Sequence, residues 1–186
     1  MLNATRYLRA ALGVAGLVVA AGLAGTGTAQ AAEQIIEGFM AWDGKGTVYE
    51  TGPHTGTFVG EIRGTLFIQS EKGPAAAGKM ICPALLGIDL ADATQIGVGS
   101  CIVTGDDGAK VYADWSCHGV HLIGCDGEIK LTGGTGRLQG ISGTGKLSVR
   151  TIKQVSSATV TADGALEEIG SGLLMLKDLK YSLPQQ

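Results

Sequence analysis

The stretch FVGEIRGTLFI, from Phe58 to Ile68, decides the fold. Every second residue, Phe58, Gly60, Ile62, Gly64, Leu66 and Ile68, falls on one side, and Thr57, Glu61, Arg63, Thr65 and Gln69 fall on the other. A strand with one buried face has this period of two. Residues 110–117 repeat it, with Val111, Ala113, Trp115 and Cys117 opposed to Lys110, Tyr112, Asp114 and Ser116. Residues 125–132 do so again, separating Gly127, Ile129 and Leu131 from Asp126, Glu128, Lys130 and Thr132. Helical periodicity is hard to find after residue 33.

Between these strands lie turn signals at short intervals: Trp42-Asp43-Gly44, Gly52-Pro53, Lys72-Gly73-Pro74, Gly105-Asp106-Asp107-Gly108, Gly133-Gly134 and Asp163-Gly164. Asp-Gly supplies the positive φ that hairpin turns demand. Of the 186 residues 31 are Gly, a content that would weaken helices and suits strands and tight turns. Residues 153–158 read as a loop, and residues 173–183 as a last strand with a frayed end at Pro184-Gln185-Gln186. Many short strands at this spacing predict an all-β barrel or sandwich, and no linker divides it.

The N-terminus reads differently. Arg6 and Arg9 precede an apolar run from Ala10 to Ala24 and small residues at Ala29-Gln30-Ala31, the order of a cleavable secretory signal peptide. Residues 1–31 are therefore expected to be removed after Ala31, leaving residues 32–186 as one soluble periplasmic or secreted domain. The run falls short of the roughly 20 residues a membrane span needs, and no second such run follows. The whole chain carries 14 basic and 17 acidic side chains; without the two leader arginines the formal charge becomes −5. A mild acidic balance argues against nucleic acid or an anionic membrane as partner.

All four cysteines, Cys82, Cys101, Cys117 and Cys125, lie in the exported part, where an even count implies disulfides. If residues 105–108 close a hairpin, Cys101 faces a residue near 112–114, and Cys117 is displaced by about 10 Å or more along the strand. That exceeds the reach of a disulfide. Cys82 with Cys101 and Cys117 with Cys125 is the favoured pairing. Cys117-His118-Gly-Val-His121 could alternatively supply zinc ligands, but a strand would put His118 and His121 on opposite faces, and an oxidising compartment would consume the thiols. His54 is read as a turn residue.

Residues 140–147, GISGTGKL, nearly match a phosphate-binding loop, yet Leu147 stands where a hydroxyl must hold magnesium. Residues 146–151 alternate like a strand instead of opening a helix. Gly134-Thr135-Gly136 also fails as a dinucleotide fingerprint because the next glycine, Gly140, is one place late. No cofactor is implied. Structurally, residues 132–145 read as a strand, a glycine turn, a short strand with a bulge near Gly140, and a second glycine turn.

This same segment, LTGGTGRLQGISGTG at residues 131–145, resembles the glycine-rich signature of allene oxide cyclase-like and dirigent-like barrels. Residues 99–119, with Cys125 after them, are similar to exported bacterial relatives of that group. The resemblance is good over about residues 95–150. It implies an eight-stranded antiparallel barrel, lipocalin-like in form, with a central pocket; a β-sandwich is the alternative. Enzymatic members orient or cyclise reactive small molecules with charged or phenolic groups in the lumen. Here Asp114, Tyr112, Glu61, Arg63, Glu128 and Lys130 alternate to the face opposite the apolar one, unless a bulge shifts register.

The expected function is accordingly binding of a small apolar molecule in a barrel mouth lined by Phe58, Ile62, Leu66, Trp115, Ile129 and Leu131, or a non-catalytic interaction module with a filled lumen. The alternative is a cyclase- or isomerase-like enzyme that holds a flexible substrate in one conformation. It requires Asp114, Tyr112, or Glu61 with Arg63 to point inward. No Ser-His-Asp set is present in the pattern, and the reading leans away from an enzyme.

Overall fold

A computed structural model describes residues 33–160 and 165–184. The expected leader at residues 1–31, the expected Asp163-Gly164 turn and the Gln185-Gln186 end lie outside the described residues. Eight strands follow in order: β1 (Gln34–Gly52), β2 (Thr55–Ser70), β3 (Gly73–Asp89), β4 (Thr94–Thr104), β5 (Lys110–Val120), β6 (Gly124–Gly134), β7 (Ser142–Val160) and β8 (Leu166–Ser182). Each pairs antiparallel with the next, and β1 pairs with β8, so the sheet closes as a barrel without a free edge. The fold is the all-β, eight-stranded antiparallel barrel, and the sandwich alternative does not apply.

The alternation that begins at Phe58 sorts side chains between lumen and exterior. Met40, Trp42, Leu66, Met80, Ala113, Trp115, Ile129, Leu131, Leu147, Leu174 and Leu176 fill the inside together with all four cysteines. On the outer wall Phe39 and Phe67, paired across β1 and β2, stack with ring centroids 5.5 Å apart. Cys82 is bonded to Cys101 and Cys117 to Cys125. Cys101 faces Ala113, which leaves Cys117 opposite Gly97, far along β4 from Cys101.

Several turn and loop readings are corrected. Trp42-Asp43-Gly44 lies inside β1. Its glycine is needed for space: a Cβ on Gly44 would stand 2.9 Å from Ile62 Cγ2 and 3.3 Å from Trp42 Cζ3. Residues 153–158 belong to β7, and the irregularity that resembled a loop is a pair of register shifts, at Thr151/Lys153 and Ser156/Val160. The last strand begins at Leu166, not Leu173. Gly143 and Gly145 lie within β7, and the short bulged strand is a 3-10 helix, Gly136–Leu138.

That 3-10 helix joins β6 to β7 at one end of the barrel, the floor, and carries no buried residue of its own. Gly136 and Gly140 take φ of +59° and +77°, conformations open mainly to glycine. They bend the chain so that Ile141 is buried and Leu138 packs against the same core. Thr135 ties the segment to β5: its Oγ1 accepts from Lys110 N at 3.0 Å, and its own N–H donates to Lys110 O at 2.9 Å. Arg137 Nε donates to Asp107 Oδ2 at 2.6 Å, holding the β4–β5 hairpin to the helix. The arginine and the Ala109 N–H together hold the Asp107 carboxyl below its ordinary pKa. The glycine-rich signature thus fixes the β6–β7 connection to β5 and the β4–β5 hairpin at the floor.

Candidate ligand pocket

The opposite end of the barrel is open. It is ringed by the β1–β2, β3–β4 and β5–β6 connections, and beneath them lies a cavity of about 110 Å³. Its walls are Trp42, Phe58, Ile62, Leu86, Trp115, Leu147, Val149 and Leu174. For scale, a cavity of roughly 150 Å³ accepts benzene. The space is smaller than that, so it encloses a short branched chain or the greater part of one ring, with the remainder protruding through the mouth.

Glycines shape these walls. Trp115 lies over Gly97 and Gly99, Trp42 over Gly44, Gly170 and Gly172, and Phe58 over Gly46 and Gly60. A Cβ on Gly99 would come within 2.8 Å of Trp115 Cε2, and one on Gly172 within 2.8 Å of Trp42 Cζ2. A barrel of eight strands has room for only one layer of large side chains across its axis. Placing glycine opposite each aromatic ring lets the rings lie flat on the backbone and leaves space in the middle. Both indole N–H groups are sealed within the packing, without an acceptor.

The mouth is polar. Gln95 is buried, and its Oε1 lies 3.3 Å from His121 Nδ1. Glu168 and Gln154 face the same opening, joined by a hydrogen bond. Desolvation holds His121 below the ordinary imidazole pKa, so its ring is neutral at pH 7. Burial raises the Glu168 carboxyl, and the Gln154 bond only partly offsets it. An apolar well under amide, imidazole and carboxyl groups suits an amphipathic molecule entering apolar end first.

The Glu168 shift has a measurable consequence. A carboxyl whose folded pKa is raised binds its proton more tightly in the folded state. It favours folding fully below its unfolded value of about 4.5, and that contribution is lost as pH rises through the folded pKa. Glu168→Gln is therefore expected to raise the melting temperature at pH 7 by about 1–2 °C, a small shift because the group is only partly buried and water screens it. The difference vanishes near pH 4, where both states are protonated. Equal melting shifts at pH 4 and pH 7 would rule out the carboxyl as the cause.

Of the six side chains expected at the mouth, Phe58, Ile62 and Trp115 line the cavity. Leu66, Ile129 and Leu131 point inward but are packed in the core. The sequence reading missed Trp42, taken for a turn, and the polar rim of Gln95, His121, Gln154 and Glu168. The period of Met40, Trp42 and Gly44 could have revealed the first. The rim comes from strand ends brought together only by closure.

Asp114, Tyr112, Glu61 and Arg63 are on the outer wall, where no bulge turns them inward. Asp114 accepts a hydrogen bond from Ser100 Oγ at 2.7 Å, and Arg63 is paired with Glu61. The only register shift on β5 lies between Tyr112 and Ala113, and it leaves both Tyr112 and Asp114 exposed. The zinc alternative does not assemble either. His118 is on the exterior and His121 at the mouth, the cysteines are joined to each other, and no metal-holding group of three acidic, His or Cys residues occurs among the described residues.

No family model matches the sequence, and no curated protein matches it. Among solved structures the chain is similar to a pterocarpan synthase dirigent protein, at 11% identity and a TM-score of 0.40, over 83% of this chain and 88% of that one. The barrel assignment stands on the strand register itself.

Proposed function

We propose that this protein is an exported, non-catalytic barrel that binds one small, mostly apolar molecule in its open end. The carrying observation is the cavity walled by Trp42, Phe58 and Trp115 beneath a polar rim. Two disulfides support an oxidising compartment, and no helix among the described residues is long and apolar enough to cross a membrane. The outward position of Asp114, Tyr112, Glu61 and Arg63 removes the groups on which the cyclase-like alternative relied. The filled-lumen alternative holds only for the floor half, where Met40, Met80 and the Cys82–Cys101 pair pack with almost no exposure.

The chain has two tryptophans, Trp42 and Trp115, and both line the cavity. Intrinsic fluorescence therefore reads occupancy without a label. Titration with uncharged single-ring probes, benzyl alcohol and 4-methylphenol, is expected to give a saturable change in emission. Ala84→Phe, which projects a ring into the same space, is expected to weaken binding at least about tenfold, a loss of about 1.4 kcal/mol, with the barrel's circular dichroism retained. A linear, non-saturating response in the parent protein would sink the proposal, as would unchanged affinity in the variant.

A further inference from the structure

The outer wall carries a second feature that the pocket does not explain. Val59, Ile81, Leu85, Ile96, Val98, Ile102 and Tyr112 are each between 37% and 61% exposed. Strand register makes them neighbours: Val59 is opposite Leu85, Leu85 opposite Val98, Ile81 opposite Ile102, and Ile102 opposite Tyr112. The outward side chains of β4, from Thr94 through Ile96, Val98, Ser100 and Ile102 to Thr104, include no charge at all. Isolated exposed apolar residues are ordinary on a monomer, whereas a continuous apolar row along two neighbouring strands, flanked by the charges of Glu61, Arg63 and Asp114 on β2 and β5, signals an interaction surface.

The charges at its margins indicate the occupant. Along β3 the outward row runs Lys79, Ile81, Pro83, Leu85, Gly87, Asp89, with one cation and one anion at equal distances from the Pro83–Leu85 centre. We propose that this face, centred on β3 and β4, is the isologous interface of a dimer formed with a second copy of the same chain. A two-fold axis in the interface plane, running across the strands at the level of Ala84 and Gly99, which are paired, lays each β3 antiparallel over its counterpart. Lys79 then meets Asp89 of the partner subunit, and Ile96 meets the partner's Ile102. Tyr112 falls over the partner's His118, and no like charges coincide. An axis running along β3 would instead stack Lys79 on the partner's Lys79. Isologous pairing demands such self-complementarity, and face-to-face sheets pack about 10 Å apart, within reach of a lysine–carboxylate pair. The face is a side wall, so both pockets stay open.

Sedimentation velocity on the chain without its leader, over a concentration series, tests this. A dimer at micromolar concentration is expected. Val98→Glu, which buries a charge at the centre, is expected to give monomers with unchanged circular dichroism. Lys79→Asp should weaken the dimer about tenfold, and combining it with Asp89→Lys should restore it. Because Asp89 Oδ1 also accepts from Ala91 N at 2.8 Å, Asp89→Asn serves as the second variant. It keeps the turn acceptor, loses the charge, and is expected to weaken the dimer several-fold. A monomer at every concentration overturns the proposal, as does a dimer indifferent to Val98→Glu. Failure of the charge swap to restore association overturns the two-fold arrangement. A monomer that adsorbs to phosphatidylcholine vesicles, and loses this with Val98→Glu, assigns the face to lipid and also overturns it.

Discussion

Cys82→Ala with Cys101→Ala is expected to lower stability by about 3 kcal/mol, which for a chain of this length corresponds to a fall of about 6–12 °C in melting temperature. The bond closes a separation of 19 residues between β3 and β4. On the chain-entropy account its removal frees that loop in the unfolded state. Both residues are almost wholly buried in the packed half of the lumen, so the variant also leaves a small void there. The Cys117–Cys125 bond spans only 8 residues, and its loss should cost about 0.8 kcal/mol less by the same loop argument. It lies in the wall beside the mouth, where Cys125 lines the cavity, so its removal should weaken probe binding more than its melting shift suggests. Differential scanning calorimetry of the two double variants checks the order. A larger melting loss from the Cys117–Cys125 pair would refute the account.

Gly172→Ala is expected to be nearly as damaging, about 3 kcal/mol for one methyl group. Its Cβ would press on the Arg150 carbonyl oxygen and on the buried Trp42 ring. Neither yields easily: the first is strand backbone and the second is wedged across the lumen. Trp42 must tilt toward the mouth, which narrows the cavity and wets the indole. The measurable signature is a lower melting temperature together with red-shifted tryptophan emission. Gly87→Ala is the matched control, since its Cβ would find no atom nearer than Ile96 O at 4.0 Å. That variant should stay within about 1 kcal/mol of the parent, helped by a stiffer unfolded chain. Equal effects at the two glycines would show that loss of flexibility, not space for the ring, sets the cost.

The pattern from Phe58 to Ile68 was enough to place Phe58 and Ile62 inside and Glu61 and Arg63 outside. The spacing of Cys101, the Gly105–Gly108 turn and Cys117 was enough to exclude one disulfide. Both inferences use only neighbouring strands and the fixed rise per residue, so local chemistry suffices. Residues 153–158 show where that reasoning stops. Register shifts in β7 blur the alternation, and only pairing with β8 identifies the segment as strand.

By itself, then, the amino-acid order determined the strand phase of residues 57–69, 110–117 and 125–132 and excluded Cys101 with Cys117, because each depends only on contacts within a hairpin and on the fixed rise per residue. Tertiary structure alone decided that Leu66, Ile129 and Leu131 are filler whereas Trp42, Leu147 and Leu174 are wall, since depth along a barrel axis depends on strand stagger summed around the whole ring. It also decided that Gln95, His121, Gln154 and Glu168, drawn from four separate strand ends or turns, share one rim. Two ends far apart in the chain meet only once β1 has closed on β8, and no local pattern encodes that meeting.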